Sequence, residues 1–531
     1  MKKNYLLVLV LLLMANGASA QNYVWEWAKS ASSGHSSEAV TTTTDASGNI
    51  YTGGSFQSTS ITFGTTVLTN TADNYQMFIV KHNSNGDLVW TVGGTPANYS
   101  QVTSLATDAT GNLYVTGRFH TSITFGSATL NAPGFSSFLA KFNPEGVAQW
   151  AVKPGGTAST IFSNVIWKDN NVYVCGSFEG TPLTIGPSSL TNLGSGDAFA
   201  AKFDANGNGL WARRIAGTGF DSASGIAVNS WGEVLVTGSY SSATINSGST
   251  PVSNNGNSDI FVTKLNSNGV SQWIKSYGGT GYDSGYSLLV NSQNEIYLLG
   301  RLFSPTVAIG NVQVTSANGT EILLAKIGDN GNTVWANLSG GNQGDNATDF
   351  KLDADGNVYI TGFTYSSSFE TGGLTLTPSG LSNMFVIKMI PAGTSEWATM
   401  VPGNDGTEAR AIAVDSDEIY IAGRFNNTLS LGNTTLSNIN NTGMFVAKLV
   451  PEAMGTKEVR SLHISVYPNP VKEVLNISSE ISVDSKYYIS DTTGRKISSG
   501  TIVNKGVNTS LLPAGIYFLN INNTTTKFIK E

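Results

Sequence analysis

Five carboxylate residues recur at similar places in this sequence of 531 residues, and they offer its clearest chemistry. Each precedes a polar turn by a similar interval. They are Glu38, Asp221, Asp283, Asp345 and Glu408. Carboxylates gathered on one surface could bind a cation, a basic peptide or sugar hydroxyls, and a pair of them could act as acid and base. The competing interpretation is that each accepts hydrogen bonds from N–H groups of its own loop.

The sequence contains no other recognisable catalytic or metal-binding pattern. It has no Gly-x-Ser-x-Gly elbow, no phosphate loop ending in Gly-Lys and no His-Glu-x-x-His motif. Residues 204–209 match the first half of a calcium loop, but Ile215 stands where the final bidentate Glu would be. We interpret this stretch as a hairpin turn. The sequence therefore predicts no cofactor, with calcium left open.

Seven tryptophans define the framework that must position the carboxylates. By subtraction of their positions, they stand 63, 60, 61, 62, 62 and 62 residues apart. They are Trp27, Trp90, Trp150, Trp211, Trp273, Trp335 and Trp397. A unit of about this length that recurs with turn signals and apolar runs in the same order indicates a tandem repeat.

Each repeat contains four strand-sized segments, here called A to D. In the fourth copy they are residues 224–228, 233–240, 259–265 and 270–276. A turn such as Asp45-Ala-Ser-Gly-Asn49 joins A to B, and one such as Asn83-Ser-Asn-Gly86 joins C to D. Four-stranded sheets that repeat radially form a β-propeller. A linear β-solenoid is the alternative, but its coils are much shorter than this period.

Segments B and C also predict how the sheets pack. Segment C is apolar at consecutive positions, as in Met77-Phe-Ile-Val-Lys81, which predicts a strand covered on both faces. Segment B carries a glycine at a fixed place, where we expect the missing side chain to let neighbouring sheets approach closely. The glycines are Gly54, Gly117, Gly176, Gly238, Gly300, Gly362 and Gly423.

The two ends of the repeat array predict how the propeller closes. The seventh copy has segments B and C but runs into Val450-Pro451 without a D segment or a tryptophan. Residues 23–29, with Trp27 in register, precede the first A segment. We therefore predict an all-β fold in which residues 21–450 form a seven-bladed β-propeller, with the N-terminal strand closing the last blade.

The start of the chain and its composition predict an exported protein. Residues 1–20 have the basic start, apolar run and small-residue end of a secretory signal peptide. That run is too short to span a bilayer, and no later stretch is long enough. A net charge of -7 without a Lys/Arg run argues against nucleic acid as a partner. The single cysteine, Cys175, lies in an apolar run and is expected to be buried and inert.

The repeats resemble a known family. With Asp-x-x-Gly-Asn-x-Tyr-x-x-Gly, then Phe-Gly, then Phe-x-x-Lys and a following Trp, residues 45–449 resemble the bacterial β-propeller repeats known as SBBP repeats. The resemblance implies the fold and is silent about activity, because propellers host many functions.

Beyond a linker at residues 451–458, residues 459–531 contain short alternating strands with Pro and Gly turns, which predicts a small β-sandwich. A carbohydrate-binding or linker module is one interpretation. The motifs are similar to the type A C-terminal sorting domain of the type IX secretion system of Bacteroidetes, which implies export across the outer membrane and the secretion machinery as a partner. The motif positions are Tyr467, Pro468, Asn469, Pro470, Gly494, Pro513, Gly515 and Tyr517.

Two functions follow as hypotheses. The first is a monomeric, non-enzymatic module, extracellular or on the outer-membrane surface, that binds glycans or proteins through the face with the longer loops. The second is an extracellular polysaccharide lyase or hydrolase that uses carboxylates as acid and base. Paired catalytic carboxylates need surroundings that separate their pKa values, and a symmetric ring of carboxylates lacks that asymmetry. The sequence therefore favours binding.

Overall fold

The structure is a computed structural model. It describes residues 22–71, 74–95, 98–248, 250–316, 320–403, 406–452, 465–477, 485–502, 505–521 and 524–531. The chain divides into two compact units, Met1–Glu452 and Ala453–Glu531. The predicted signal peptide and most of the predicted linker lie outside the described residues. Within these ranges the regular elements are β-strands, as expected for an all-β fold, and no helix is long and apolar enough to cross a membrane.

The first unit consists of antiparallel sheets whose four main strands are ordered A, B, C and D, as the repeats predict. We number the sheets 1 to 7 by the position of strand A. In the order A to D, sheet 1 consists of Ser37–Thr44, Ile50–Phe56, Gln76–His82 and Leu88–Gly93, and sheet 2 of Tyr99–Thr107, Leu113–Phe125, Ala128–Phe142 and Ala148–Val152. Sheet 3 consists of Ser159–Lys168, Asn171–Glu179, Asp197–Asp204 and Gly209–Ile215, and sheet 4 of Asp221–Val228, Val234–Tyr240, Asp259–Leu265 and Ser271–Tyr277. Sheet 5 consists of Ser284–Val290, Ile296–Leu302, Glu321–Ile327 and Thr333–Gly341, and sheet 6 of Asp345–Leu352, Val358–Thr364, Ser382–Met389 and Ser395–Gly403. Sheet 7 consists of Thr407–Asp415, Glu418–Leu431, Thr434–Pro451 and Tyr23–Ser30.

Sheet 7 takes its strand D from the start of the unit. Tyr23–Ser30 pairs antiparallel with Thr434–Pro451, so that Tyr23 lies opposite Pro451 and Ser30 opposite Phe445. Strands A of consecutive sheets contact one another through the series, and strand A of sheet 7 contacts strand A of sheet 1. This is the architecture of a β-propeller.

The hydrophobic core lies between adjacent sheets. In one cluster Cys175 and Trp211 of sheet 3 pack with Ile226 and Phe261 of sheet 4. Strand C is buried along its whole length in sheets 1 and 4, which confirms the expectation of a strand covered on both faces. The thiol of Cys175 is buried as expected, and burial raises its pKa far above the ordinary value.

Short hairpins fill most of the connections from B to C. They are formed by Ser60–Phe63 with Thr66–Thr69, Leu183–Ile185 with Ser188–Leu190, Thr244–Ile245 with Val252–Ser253, Thr306–Ile309 with Val312–Thr315, and Phe369–Thr371 with Leu374–Leu376. In sheets 2 and 7, strands B and C are long enough to form the hairpin themselves. Ser32–Ser33, Gly155–Gly156 and the end of strand D in sheet 5 each pair with the hairpin of the next sheet. The hairpins thus link neighbouring sheets.

The fixed glycine of strand B has a different reason from the one expected. A Cβ at Gly54 would collide with the carbonyl oxygen of Glu38 in strand A and with the ring of Phe78 in strand C, both in the same sheet. The register of A against B shifts by one residue at this point in all the numbered sheets. The glycine therefore accommodates a β-bulge in its own sheet, and the expectation of close approach by a neighbouring sheet was wrong for Gly54.

The periodic tryptophans connect each sheet to the next. Trp150 in strand D of sheet 2 donates its indole N–H to the carbonyl of Ala205, in the C-to-D turn of sheet 3, at 3.2 Å. The same bond recurs from Trp27 to Ser84, Trp90 to Pro144, Trp211 to Ser267, Trp273 to Asp329, and Trp335 to Pro391. A Cβ on the turn glycine Gly207 would lie 2.9 Å from the Trp150 ring. The repeat period is thus the spacing of these inter-sheet contacts.

Trp397 is the exception among these tryptophans. The next sheet is sheet 7, whose strand D comes from the other end of the unit, so no C-to-D turn follows strand C there. The indole nitrogen of Trp397 is buried and has no hydrogen-bond partner among the described residues. The ring of Tyr23 packs on Trp397 instead, with centroids 4.4 Å apart.

The C-terminal unit contains two small sheets around one core. One consists of Val466–Tyr467, Val474–Ile477 and Gly506–Asn508, and the other of Lys496–Thr501, Lys486–Ser490, Gly515–Ile521 and Thr524–Lys530. Leu475 and Val507 of the first sheet share the core with Leu519 and Phe528 of the second.

Several motif positions of this unit have structural roles. Asn469 accepts a hydrogen bond from the N–H of Ile529 at 2.8 Å. Gly494 has φ 84° in its turn, and the hydroxyl of Tyr517 donates to the carbonyl of Pro513 at 3.0 Å. These contacts explain the residue types at those positions.

Candidate binding site at the channel mouth

The connections from B to C and from D to the next A lie at the same end of the sheets, because the strands are antiparallel. We call this end the loop face, and the end with the A-to-B and C-to-D turns the turn face. The five carboxylates singled out in the sequence belong to strands or loops at the loop face. Their local geometry separates them into two groups.

Three of the carboxylates are fully buried and bonded to their own surroundings. Asp221 accepts hydrogen bonds from the N–H of Gly217 at 2.7 Å and from the hydroxyl of Ser242 at 2.8 Å. Asp283 accepts from the N–H groups of Gly279, at 2.8 Å, and of Phe303, at 3.0 Å. Asp345 accepts from Gly341, Thr364 and Ser366. Burial raises the pKa values of Asp221 and Asp345 against the opposing effect of these bonds.

The two glutamates come together, unlike the aspartates. Arg424 donates two hydrogen bonds to Glu408, at 3.1 and 3.0 Å, and a third guanidinium nitrogen lies 3.6 Å from Glu38. Arg410 forms a second ion pair with Glu408 at 2.6 Å. Burial alone would lower the pKa of Arg424, but the carboxylates of Glu408 and Glu38 raise it. Two of the candidate residues thus share one arginine that the sequence reasoning did not select.

A shift of one residue explains the division. In sheet 4, Asp221 lies opposite Tyr240 of strand B. The equivalent position in sheet 1 is Ser37, which lies opposite Phe56, and Glu38 is the next residue along strand A, opposite Ser55. Successive side chains of a strand point to opposite faces of the sheet. The similar offsets in the sequence therefore concealed two different environments.

The β-bulges of strand A place one residue per sheet at a shared cavity, here called the channel. A cavity of about 410 Å³ is lined by residues from strand A of every numbered sheet. The bulged residues line it, and they are Val40, Thr103, Ser163, Ser224, Tyr286, Thr348 and Arg410. The sequence reasoning missed them, although a column-by-column comparison of the repeats would have shown their variability. Bulges of this kind re-aim side chains beside functional sites.

Three of the bulged residues bridge to the next sheet, and others bring distinctive chemistry. The hydroxyl of Thr348 donates to the carbonyl of Ala409 at 2.9 Å, and Thr103 and Ser224 make equivalent bonds. Tyr286 and Arg410 instead bring a phenol and a guanidinium to the channel. The ion pair between Asp349 and Lys351, at 2.9 Å, also lines the cavity. The channel wall is thus polar and asymmetric.

Several exposed aromatic rings lie on the loop face. Five of them are between 38% and 61% exposed. They are Phe135 of sheet 2, Phe220 before sheet 4, Tyr282 and Phe303 around sheet 5, and Tyr365 of sheet 6. Arginine side chains stack on two of these rings, with Arg118 4.1 Å from the Phe135 centroid and Arg301 4.6 Å from that of Phe303. Exposed aromatic groups gathered on one face are typical of binding surfaces.

The described residues contain no group of three or more His, Cys, Asp or Glu side chains placed to hold a metal ion. At the calcium-like stretch, Asp204 accepts bonds from the N–H groups of Asn206 and Asn208, each at 2.9 Å, as in a plain turn. Burial would raise the pKa of Asp204, but the hydrogen bonds from the side-chain amide of Asn208 and from these N–H groups lower it. Calcium binding stays a prediction from the sequence.

Comparison with known proteins identifies the C-terminal unit. Residues 465–531 match the family described as secretion system C-terminal sorting domain, a range that includes the motif positions from Tyr467 to Tyr517. The chain is therefore a secreted protein with a β-propeller, and its type IX sorting tail directs it to the cell surface or the extracellular space.

Relatives of the larger unit carry little functional information. Over 440 residues the chain is 24% identical to an uncharacterized WD repeat-containing protein of Acanthamoeba polyphaga mimivirus, with 66% of this chain and 31% of that protein covered. Over 353 residues it is 25% identical to the regulatory protein FlaEY of Caulobacter vibrioides, with 59% and 36% covered. The chain thus spans about a third of the length of these relatives. The WD40 propeller domain of Doa1 aligns with a TM-score of 0.41 at 10% identity, over 82% of this chain and 98% of that one.

Proposed function

We propose that the protein is a non-enzymatic binding module, exported by a type IX secretion system, that captures a glycan or protein ligand at the channel mouth on its loop face. In this proposal residues 1–20 are a signal peptide, and the repeats are SBBP repeats of a Bacteroidetes protein. The observation that carries the binding role is the set of exposed aromatic rings on the loop face, the end at which a polar channel also opens in this proposal.

The proposal includes a ring of seven blades, with Tyr23–Ser30 as the strand that completes the last blade. Three observations support it. Tyr23–Ser30 pairs with Thr434–Pro451, strand A of sheet 7 contacts strand A of sheet 1, and strands A of all the numbered sheets line one cavity. In such a ring the loop face surrounds one mouth, which gives a single ligand access to several blades.

The engagement of the carboxylates supports binding over catalysis. Asp221, Asp283 and Asp345 are buried, and their oxygens accept hydrogen bonds from their own loops and neighbouring hydroxyls. Glu408 forms ion pairs with two arginines. The alternative, a polysaccharide lyase or hydrolase, would need two of these carboxylates free to exchange protons with a substrate.

The test is an array of glycans and proteins probed with the purified full chain, with and without calcium. Tyr282→Ala and Tyr365→Ala are expected to weaken capture of the bound class by about tenfold, because each removes an exposed ring of the loop face. The matched control is Trp231→Ala, because Trp231 is 62% exposed, like Tyr282 at 61%, but lies on the turn face. Absence of binding to every class would contradict the proposal, and release of sugar products would favour the enzyme.

A further inference from the structure

A groove at the loop face lies between sheet 2 and the connection to sheet 3. Its volume is about 190 Å³. One wall consists of residues 132–136, which include Phe135, and the other of Lys153 with residues 156–159. The groove is therefore a small concave site that one aromatic ring and one cationic side chain share.

Lys153 lines this groove, and Arg118 stacks on its lining residue Phe135; neither cation has a carboxylate partner among the residues that the structure describes. The guanidinium of Arg118 stacks on Phe135 at 4.1 Å, and its buried Nε has no hydrogen-bond partner there. Lys153 donates to the carbonyl of Pro154 at 3.2 Å. Because Phe135 both contacts Arg118 and lines the groove, the guanidinium lies one ring away from it.

Three other arginines of the loop face differ in having carboxylate partners. Arg214 lies 3.8 Å from Asp197, and Arg410 and Arg424 both pair with Glu408. Sheets 4 and 6 begin strand A with Asp221 and Asp345, whereas the equivalent positions of sheets 2 and 3 are Ser100 and Thr160. The residues that line the groove include Lys153 and no carboxylate. In sheet 3, Glu179 lies opposite the lining residue Ser159, and the buried Asp197 is paired with Arg214.

We propose that this groove binds an acidic pyranose unit of a polysaccharide, a sugar that carries a carboxylate or a sulfate. The inference rests on the proposed binding function and names its ligand class. A guanidinium and an ammonium group recognise an oxyanion, and the exposed ring of Phe135 offers an apolar platform to a sugar face. A groove of this volume admits a single ring, so one charged unit of a polymer is enough to fill it.

The experiment measures binding of the full chain to polygalacturonate, to its methyl-esterified form, to chondroitin sulfate and to dextran. The methyl ester keeps the sugar backbone and removes the charge. We expect polygalacturonate or chondroitin sulfate to bind at least tenfold more tightly than the neutral polymers, and the preferred one distinguishes carboxylate from sulfate. Raising the salt concentration is expected to weaken this binding.

Variants connect the binding to the groove. Arg118→Gln and Lys153→Gln are each expected to weaken binding of the acidic polymer five- to tenfold. The control is Arg301→Gln, because Arg301 also stacks on an exposed ring and also has an unpartnered Nε, but lies in sheet 5. Unchanged binding by both groove variants, or equal binding of the acidic and esterified polymers, would overturn the inference. Binding of a neutral glycan or a protein alone would overturn it and leave the proposed function intact, whereas no binding to any class would remove both.

Discussion

Among single residues, the bulged position of strand A varies most in its chemistry. It is Val40 in sheet 1, Ser224 in sheet 4, Tyr286 in sheet 5 and Arg410 in sheet 7. The residue that lies against the bulge is a glycine of strand B, as the contacts of Gly54 show. The constant glycine holds the backbone geometry, so the bulged side chain can change without altering the sheet.

Gly207→Ala tests the contact between a turn glycine and a tryptophan. Gly207 has φ 83°, and an added Cβ would lie 2.9 Å from Trp150. We expect a loss of about 3 kcal/mol in the free energy of unfolding, from left-handed backbone strain and the clash together. The control is Gly232→Ala, which has φ 75° but a nearest contact of 3.7 Å, and should lose about 1 kcal/mol. Equal losses in denaturant titrations would contradict the role of the indole contact.

His82 gives the propeller a pH-dependent stability. Burial lowers the pKa of His82 to about 4, with Lys29 reinforcing and Asp87 opposing the effect. The unfolded chain keeps a pKa of about 6.5 and so binds more protons between these values. The stability that His82 permits is therefore present above about pH 6.5 and is lost as the pH falls towards 4.

His82→Phe is the matching substitution, because Phe142 and Phe203 occupy the equivalent position at the end of strand C in sheets 2 and 3. Relative to the parent protein, the variant should gain about 2 kcal/mol on going from pH 7 to pH 5. Unfolding free energies at the two pH values measure this difference. A gain that is the same at both values would assign the effect to packing instead.

At the level of elements, the tryptophans of strand D connect one sheet to the next. Trp211 and Trp397 are buried to similar extents, 7% and 9% exposed, but only Trp211 of the two donates to a turn carbonyl in the structure. Both Trp→Phe substitutions remove the same atoms. Trp211→Phe should cost about 1 kcal/mol more than Trp397→Phe, because it alone loses a hydrogen bond. Thermal unfolding of the pair measures the difference, and equal costs would exclude the bond as a stabilising contact.

Much of the strand arrangement could be predicted from the sequence, because the sequence repeats. The spacing of the tryptophans and the Asp45 and Asn83 types of turn gave the strand order, and the apolar run around Phe78 gave the burial of strand C. Those residues form local turns and cores that every copy needs. Repetition therefore reports on folding requirements.

The candidate site was less accessible to sequence reasoning. Glu38 and Asp221 have similar offsets from their turns, but a one-residue difference in register places them in unlike environments. Arg424 meets Glu38 only through contact between sheets 7 and 1, which are far apart in sequence. The stacking of Arg118 on Phe135 likewise depends on the register of strands B and C. Tertiary register, unlike turn chemistry, leaves no periodic signal.

At the level of the whole molecule, stability depends on the contact between the two ends of the propeller unit. Deletion of residues 21–29 removes most of the strand that pairs with Thr434–Pro451 and exposes that edge. We expect the unfolding temperature to fall by about 10 °C or more, since it removes most of one sheet strand. The control is a permuted chain in which residues 22–31 follow Pro451, which should restore most of the loss. A deleted protein as stable as the parent would contradict the proposed ring.

The pairing of Tyr23–Ser30 with Thr434–Pro451 also makes the fold sensitive to the length of the chain that has been synthesised. The second of these strands leaves the ribosome more than 400 residues after the first, by subtraction of their positions. A product that terminates early in any repeat retains Tyr23–Ser30 as an unpaired edge, which invites aggregation and proteolysis. The pairing between the two ends therefore favours chains that reach the last repeat, because Tyr23–Ser30 is covered only once Thr434–Pro451 has been synthesised.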